Sequence, residues 1–296
     1  MAKANEKSGT ELAEVKAGAL AMVADFIGAG DFDGAGFEGA DADSFAIPFW
    51  QVLQKMSPKV DEDNAEYIQG AKAGMFFNTV TGKLLDGKNG FDIIPCAFKR
   101  SFILWGGNRG GFKGEFTPEQ IDELIANNQV IAADGRLYVP DEKGAYDKDK
   151  SDYYADTRSH YVIAFDPESG EFGQGILACS SSQIKSSRNL MTSLSQKKVN
   201  TPAGLKTPPS FLNVVHVSTV GMTNDKGSWS GLKFDLVGLV TDAGRFTDPK
   251  TIYEAAKQFY ELVKTGEAKA DFAKAGAEAA GANDGVANTP SEADNF

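Results

Sequence analysis

Lys99, Arg100, Arg109 and Lys113 stand among Phe98, Phe102, Trp105 and Phe112 in the stretch Ile93–Gly114, which contains no carboxylate. Cationic side chains track phosphates and flat rings stack on bases, so this mixture suits a single-stranded nucleic acid. A core strand that runs into a glycine turn has much the same composition. Strand alternation divides the set: Phe98, Arg100, Phe102 and Leu104 share one face, and Lys99, Ser101, Ile103 and Trp105 share the other. One of those faces is core. The exposed rim is expected to be Lys99, Arg109 and Lys113, with Trp105.

A second acid-free region runs from Phe172 through Asn224 and carries Lys185, Arg188, Lys197, Lys198 and Lys206. Within Ser181–Lys198, the residues Ile184, Leu190, Met191 and Leu194 fall at helical spacing, with Lys185, Arg188, Lys197 and Lys198 on the polar side. Ser181 or Ser182 is the expected cap. Such a helix is as often a solvated face as a binding surface. If it binds, the helix around Arg188 forms one half of a groove and Ile93–Gly114 the other.

Other chemistry is sparse. Gly106–Lys113 is not a nucleotide loop, because Phe112 separates Gly111 from Lys113, no Ser or Thr follows and no helix starts there. Asp147, Asp149, Ser151 and Asp156 imitate a calcium loop, but Asp152 stands where glycine is required and Arg158 where glutamate is required. Cys96 and Cys179 are too few for a disulfide framework or a cysteine zinc site. Neither has the setting of a nucleophile beside His160 or His216, and both are expected to be buried and inert. No catalytic residue, metal or cofactor is expected.

The elements that must position these residues lie in the middle of the chain. Of a net charge of −11, residues 1–43 hold −6 and residues 261–296 hold −4, so the centre is close to neutral. Residues 1–43 divide into an amphipathic helix over Thr10–Ile27 and an acidic Gly-, Ala- and Asp-rich linker. Residues 44–265 form the globular domain and residues 266–296 a disordered acidic tail. Ala17–Ala24 follows mixed charges and stops at Asp25, unlike a signal peptide, and no apolar run reaches the ~18 residues of a membrane span.

Within the domain, strands are expected at 74–82, 91–94, 98–105, 136–140, 160–165, 172–179, 211–221 and 229–241. Thr117-Pro118-Glu119-Gln120 is a helix start with a capping box, and Asp248-Pro249 caps a closing helix. Short strands without regular strand–helix alternation predict a mainly β, α+β fold: an OB-like barrel or related β-barrel with an inserted helix and a C-terminal helix. At the end of the chain, Glu292, Asp294 and Phe296 join acidic groups to a terminal aromatic. Such an end can dock into a basic pocket with an apolar slot on a partner, or fold back on its own cationic groove.

The basic aromatic stretch Lys99–Lys113, the helix Ser181–Lys198 between strands and the ending SEADNF together resemble bacteriophage single-stranded-DNA-binding proteins. DSFAIPFWQVLQKMSP and SQIKSSRNLM are also similar to phage proteins. The resemblance implies an OB-type barrel that binds single-stranded DNA through Lys99, Arg100, Phe102, Trp105, Arg109, Phe112, Lys113, Lys185, Arg188, Lys197 and Lys198. It also implies a tail that recruits a polymerase, helicase or primase, a location in the cytoplasm of the bacterial host, no membrane, and room for a homodimer. Two departures stand out: the tail is only mildly acidic, and the domain is larger than a minimal barrel. A virion-associated or assembly protein and a metal-dependent nucleic-acid enzyme are the alternative expectations.

Overall fold

The computed structural model describes Gly36, Glu38, Gly39 and residues 44–279 other than Arg109, Asp134, Asp225 and Lys226. The helix expected over 10–27, most of the acidic linker and residues 280–296 of the tail expected over 266–296 lie outside the described residues. The beginning of that tail, expected to be disordered, instead holds a helix over Phe272–Ala279 whose Phe272 is buried in the core. By its contacts the chain divides after Phe45, and the fold below is that of the part from Ala46 onward.

Strands β1 (Trp50–Val52), β2 (Phe76–Asn78) and β3 (Leu84–Leu85) form a small antiparallel sheet. Next come β4 (Phe91–Trp105), β5 (Phe112–Phe116), helix α1 (Pro118–Ala126), β6 (Ile131–Ala133), β7 (Arg136–Tyr138), β8 (Tyr153–Phe165) and β9 (Phe172–Ser180). Helix α2 (Ile184–Gln196) leads into the hairpin β10 (Val199–Thr201) and β11 (Gly204–Lys206). The long hairpin β12 (Asn213–Asn224) and β13 (Gly227–Leu239) precedes helices α3 (Pro249–Thr265) and α4 (Phe272–Ala279). The fold is mainly β, of the α+β class. Its main sheet is an eight-stranded, curled half-barrel of order β13-β12-β4-β8-β7-β6, with β5 added to β4 and β9 to β8.

Local chemistry explains several elements directly. Thr117 accepts from the Gln120 N–H, the Gln120 side chain accepts from the Thr117 N–H, and Pro118 opens α1, so the expected capping box is present. Asp248 accepts from the Thr251 N–H at the start of α3, and Gly266 closes that helix in the left-handed conformation. The start of α2 corrects the sequence reading. Ser181 and Ser182 lie in a 3-10 turn, and the capping position is Gln183, whose side chain makes no capping bond.

Strand β4 is the second correction. Two strands were expected around Pro95, and the chain instead makes one strand from Phe91 to Trp105. Pro95 pairs with Val162 and Ala97 with Tyr161, so Cys96 is the extra residue of a bulge. A bulge is where a strand tolerates a residue without an N–H. It also shifts the alternation by one. Before it, Phe91 and Ile93 face one core; after it, Ile103 and Trp105 face the opposite core.

The sheet therefore has two buried sides. On one, Ile252, Ala256 and Phe259 of α3 and Phe272 of α4 cover Ile94, Ile103, Trp105, Tyr161, Ile163 and Ile176. On the other, Leu190 and Leu194 of α2 pack with Val162, Leu177, Cys179, Val215 and Leu232, alongside Trp50 and Phe76 of the small sheet. Burial of those side chains is the main stabilisation of both layers.

Candidate nucleic-acid interface

After the bulge, Phe98, Arg100, Phe102 and Leu104 belong to the α2 side of the sheet. The face opposite them is core: Ser101, Ile103 and Trp105 are all buried. Trp105 is 1% exposed and packs edge-on against Phe112 at 6.1 Å. This corrects its expected place on the rim, since a ring with both faces covered cannot stack on a base. Phe112 is half-buried between Trp105 and Phe272, 6.4 Å away, and is part of the same core edge. Phe102 is half-buried beneath the Arg100 guanidinium, 5.3 Å from its ring.

The cations of this stretch have partners that the sequence separates widely. Lys99 Nζ lies 3.0 Å from Glu115 on β5. Arg100 binds Asp156 on β8 through two bonds, Nε to Oδ1 at 3.1 Å and Nη2 to Oδ2 at 2.8 Å. That fork raises the Arg100 pKa further. Lys113 Nζ donates to Asp152 Oδ2 at 2.6 Å. Burial pushes the Asp152 carboxyl up, but Lys113 and the Gly107 N–H together hold it below its ordinary value. The stretch is acid-free along the chain and neutralised across the sheet. Arg109 lies outside the described residues.

The glycine run between β4 and β5 is explained by its own packing. A Cβ on Gly107 would sit 1.9 Å from the Lys150 carbonyl oxygen. The loop amides are engaged internally, with Gly106 N–H to Gly111 O at 2.8 Å, Gly107 N–H to Asp152 Oδ1 at 3.0 Å and Asn108 N–H to Asp149 O at 2.9 Å. Those three amides are therefore not free to cradle a phosphate.

The second region is different. Ser187, Leu190 and Leu194 turn α2 onto the sheet, which places Lys185 and Arg188 on its exposed side, one turn apart. The helix runs into the β10–β11 hairpin, a separate two-stranded sheet in which all of Gly204–Lys206 is exposed and Leu205 is 67% exposed. Lys198 donates to Thr207 Oγ1 at 2.5 Å. Among the described residues, Lys185, Lys197, Lys198 and Lys206 have no carboxylate partner.

The two regions meet on one face. Arg100 and Phe98 of β4 stand directly opposite Arg158 and His160 of β8. Phe98, which the sequence reading left out of the binding set, is 39% exposed and lies 5.2 Å from the His160 ring. His160 is buried, bonded to Ser187 Oγ of α2 at 2.7 Å, and packed 5.8 Å from Phe234. Burial, with the Arg158 charge behind it, lowers its pKa to about 4, so the ring is neutral. Arg158 was missed because it follows a charged loop; extending the alternation of β8 back from His160 would have placed it in the strand.

The thiols and imidazoles do not combine. Burial pushes both Cys96 and Cys179 up to about 12, which keeps them protonated. His216 Nδ1 meets Asp92 Oδ1 at 2.8 Å, and Arg245 Nη1 lies 3.4 Å from the other carboxylate oxygen. Among the described residues, no group of three or more His, Cys, Asp or Glu is placed to hold a metal ion, and no helix is long and apolar enough to cross a membrane.

A family model described as Pam3 phage gp34-like protein matches residues 15–269. No curated protein and no solved structure matches the chain.

Proposed function

The chain belongs to the Pam3 phage gp34-like protein family, and from that premise we propose that it is a non-enzymatic phage protein that coats transient single-stranded DNA during replication or recombination. The observation that supports this most is the α2 and β10–β11 surface. There Lys185, Lys197, Lys198 and Lys206 lie in an acid-free segment with no carboxylate partner among the described residues. Cations without a carboxylate partner can neutralise phosphates and release counterions, so affinity falls steeply as salt rises. Phe98 supplies an exposed ring on the sheet, 5.2 Å from the His160 ring that bonds to Ser187 of α2, and stacking on such a ring contributes about 1–3 kcal/mol per base.

In this reading Glu292, Asp294 and Phe296 compete for the cationic face until DNA displaces them, and then engage a polymerase, helicase or primase. A chain ending at Thr289 keeps or tightens its DNA binding and loses the partner. Loss of DNA binding on truncation overturns that part of the proposal.

The direct experiment is a gel shift with poly-dT at two salt concentrations, in which a complex forms at low salt and weakens at high salt. No complex at low salt overturns the reading in favour of a virion-associated or assembly role. Magnesium-dependent loss of the labelled strand points instead to a nucleic-acid enzyme.

A further inference from the structure

Strand β13 ends the main sheet, so one of its edges faces away from β12. Residues opposed across an antiparallel pair exchange both of their ladder bonds or neither. Thr219 of β12 stands opposite Leu232, and its N–H donates away from β13, to the Gly87 carbonyl at 2.7 Å. The N–H and C=O of Leu232 therefore point outward, and those of Phe234 and Leu236 follow by alternation. Ser230 obeys the same rule: its N–H donates to Gln54 Oε1 and its carbonyl accepts from Gln54 Nε2, each at 2.9 Å.

An open strand edge is a template for another strand, and proteins usually blunt it. Here both ends are blunted. The Gln54 amide covers Ser230, and at the far end Arg245 Nη2 donates to the Val237 carbonyl at 3.0 Å. The Leu239 N–H donates to Asp242 Oδ2 at 2.8 Å. Between these plugs, the outward groups of Leu232, Phe234 and Leu236 have no partner among the described residues.

The open window, Leu232-Lys233-Phe234-Asp235-Leu236, is complementary to itself run backwards. Antiparallel pairing about Phe234 sets Phe234 opposite Phe234, Leu232 opposite Leu236 and Lys233 opposite Asp235. Slipping by two residues either way sets Lys233 against Lys233 or Asp235 against Asp235, and like charges directly opposite are destabilising. Within one chain Lys233 Nζ lies 2.7 Å from Asp235 Oδ2, with both side chains about half exposed. Leu232 is buried on the α2 side and Phe234 and Leu236 are half-buried beside it, so the apolar stripe runs along this edge.

We propose that β13 is a self-association edge, on which a second copy of this chain pairs antiparallel about a two-fold axis at Phe234. Leu232, Phe234 and Leu236 of each copy exchange backbone bonds with Leu236, Phe234 and Leu232 of the other, which joins the two main sheets into one. An axis perpendicular to the sheet keeps its faces, so both α2 helices lie on the same side and their lysines form one longer cationic surface. The pairing itself stands or falls without the DNA-binding reading.

The test uses the full chain in sedimentation equilibrium over a concentration series, with thermal melts to follow folding. The parent sediments as a monomer–dimer equilibrium. Lys233→Asp and Asp235→Lys each raise the dimer dissociation constant roughly tenfold, because two symmetry-related pairs turn repulsive together. Mixing the two variants restores the parent affinity as a heterodimer, and placing both changes in one chain restores the homodimer. Amide exchange followed by NMR adds a readout by residue. Leu232, Phe234 and Leu236 gain protection as the dimer forms, while Lys233 and Asp235, whose amides face β12, do not change. A parent that stays monomeric at every concentration overturns the proposal. So does a dimer indifferent to both single variants, which places the interface elsewhere. A monomer in which those three amides are already protected means that the chain covers its own edge, and overturns it equally.

Discussion

Strands β4, β5 and β8 hold their cations in ion pairs, whereas four lysines between the start of α2 and the end of the β10–β11 hairpin have no carboxylate partner among the described residues. Lys99, Arg100 and Lys113 face Glu115, Asp156 and Asp152. Lys185, Lys197, Lys198 and Lys206 face none among the described residues. Exposed pairs of the first kind contribute only about 0–1 kcal/mol each to stability. Their larger effect is on the field outside the molecule, because a paired cation projects little charge towards a polyanion. The comparison teaches that a count of basic residues measures affinity for phosphate only after the partners of each have been found.

The largest effect should separate the rings of the two regions. Trp105→Ala opens a cavity in the α3 side of the core and should cost about 3–5 kcal/mol in urea unfolding. Phe98→Ala should leave unfolding within about 1 kcal/mol of the parent and weaken oligo-dT by about 1–3 kcal/mol. Equal behaviour of the two rings would erase the distinction between core strand and binding face.

Next in size is the pH dependence at the junction. His160 has a folded-state pKa of about 4 against an ordinary 6.5, because burial first and Arg158 second disfavour its charged form. The unfolded chain therefore binds this proton first. The stability tied to the neutral ring is complete above pH 6.5 and is lost as pH falls towards 4, a change of about 3 kcal/mol. Urea midpoints at pH 7 and 4.5 should diverge less in His160→Gln than in the parent.

Charge reversal addresses the comparison itself. Lys185→Glu, Lys198→Glu and Lys206→Glu together should weaken oligo-dT roughly 100-fold at low salt, and Lys99→Glu with Lys113→Glu no more than about threefold. Glu115→Gln with Asp152→Asn is the smallest expected effect, a gain of about two- to threefold as the paired lysines are released. A loss on removing those acids would mean that their role is to order the strands.

The legible parts of the fold were those whose chemistry is local. Thr117-Pro118-Glu119-Gln120 placed α1, Asp248-Pro249 placed α3, and Asp166–Gly170 placed the turn between β8 and β9, each through contacts within a few residues. The Ser181–Lys198 helix was legible from its spacing, though its cap was not. What the sequence hid was long-range. Nothing near Arg100 in the chain announces Asp156, which arrives from β8 only when the strands pair. For the same reason Trp105 could not be assigned to core or rim from alternation alone, since alternation gives two faces and not which one is wet.

The bulge at Cys96 has a further consequence. It works on β4 as a reading frame works on a gene. With the extra residue in place, Arg100 and Phe98 emerge beside α2 while Ile103 and Trp105 point at α3. Deleting Cys96 would put every later side chain of the strand out of phase, turning the Arg100 guanidinium towards Phe259 and the Trp105 indole towards water. A one-residue deletion here should be worse than any single substitution along the strand, whereas the same deletion in the charged loop 141–150 should pass almost unnoticed.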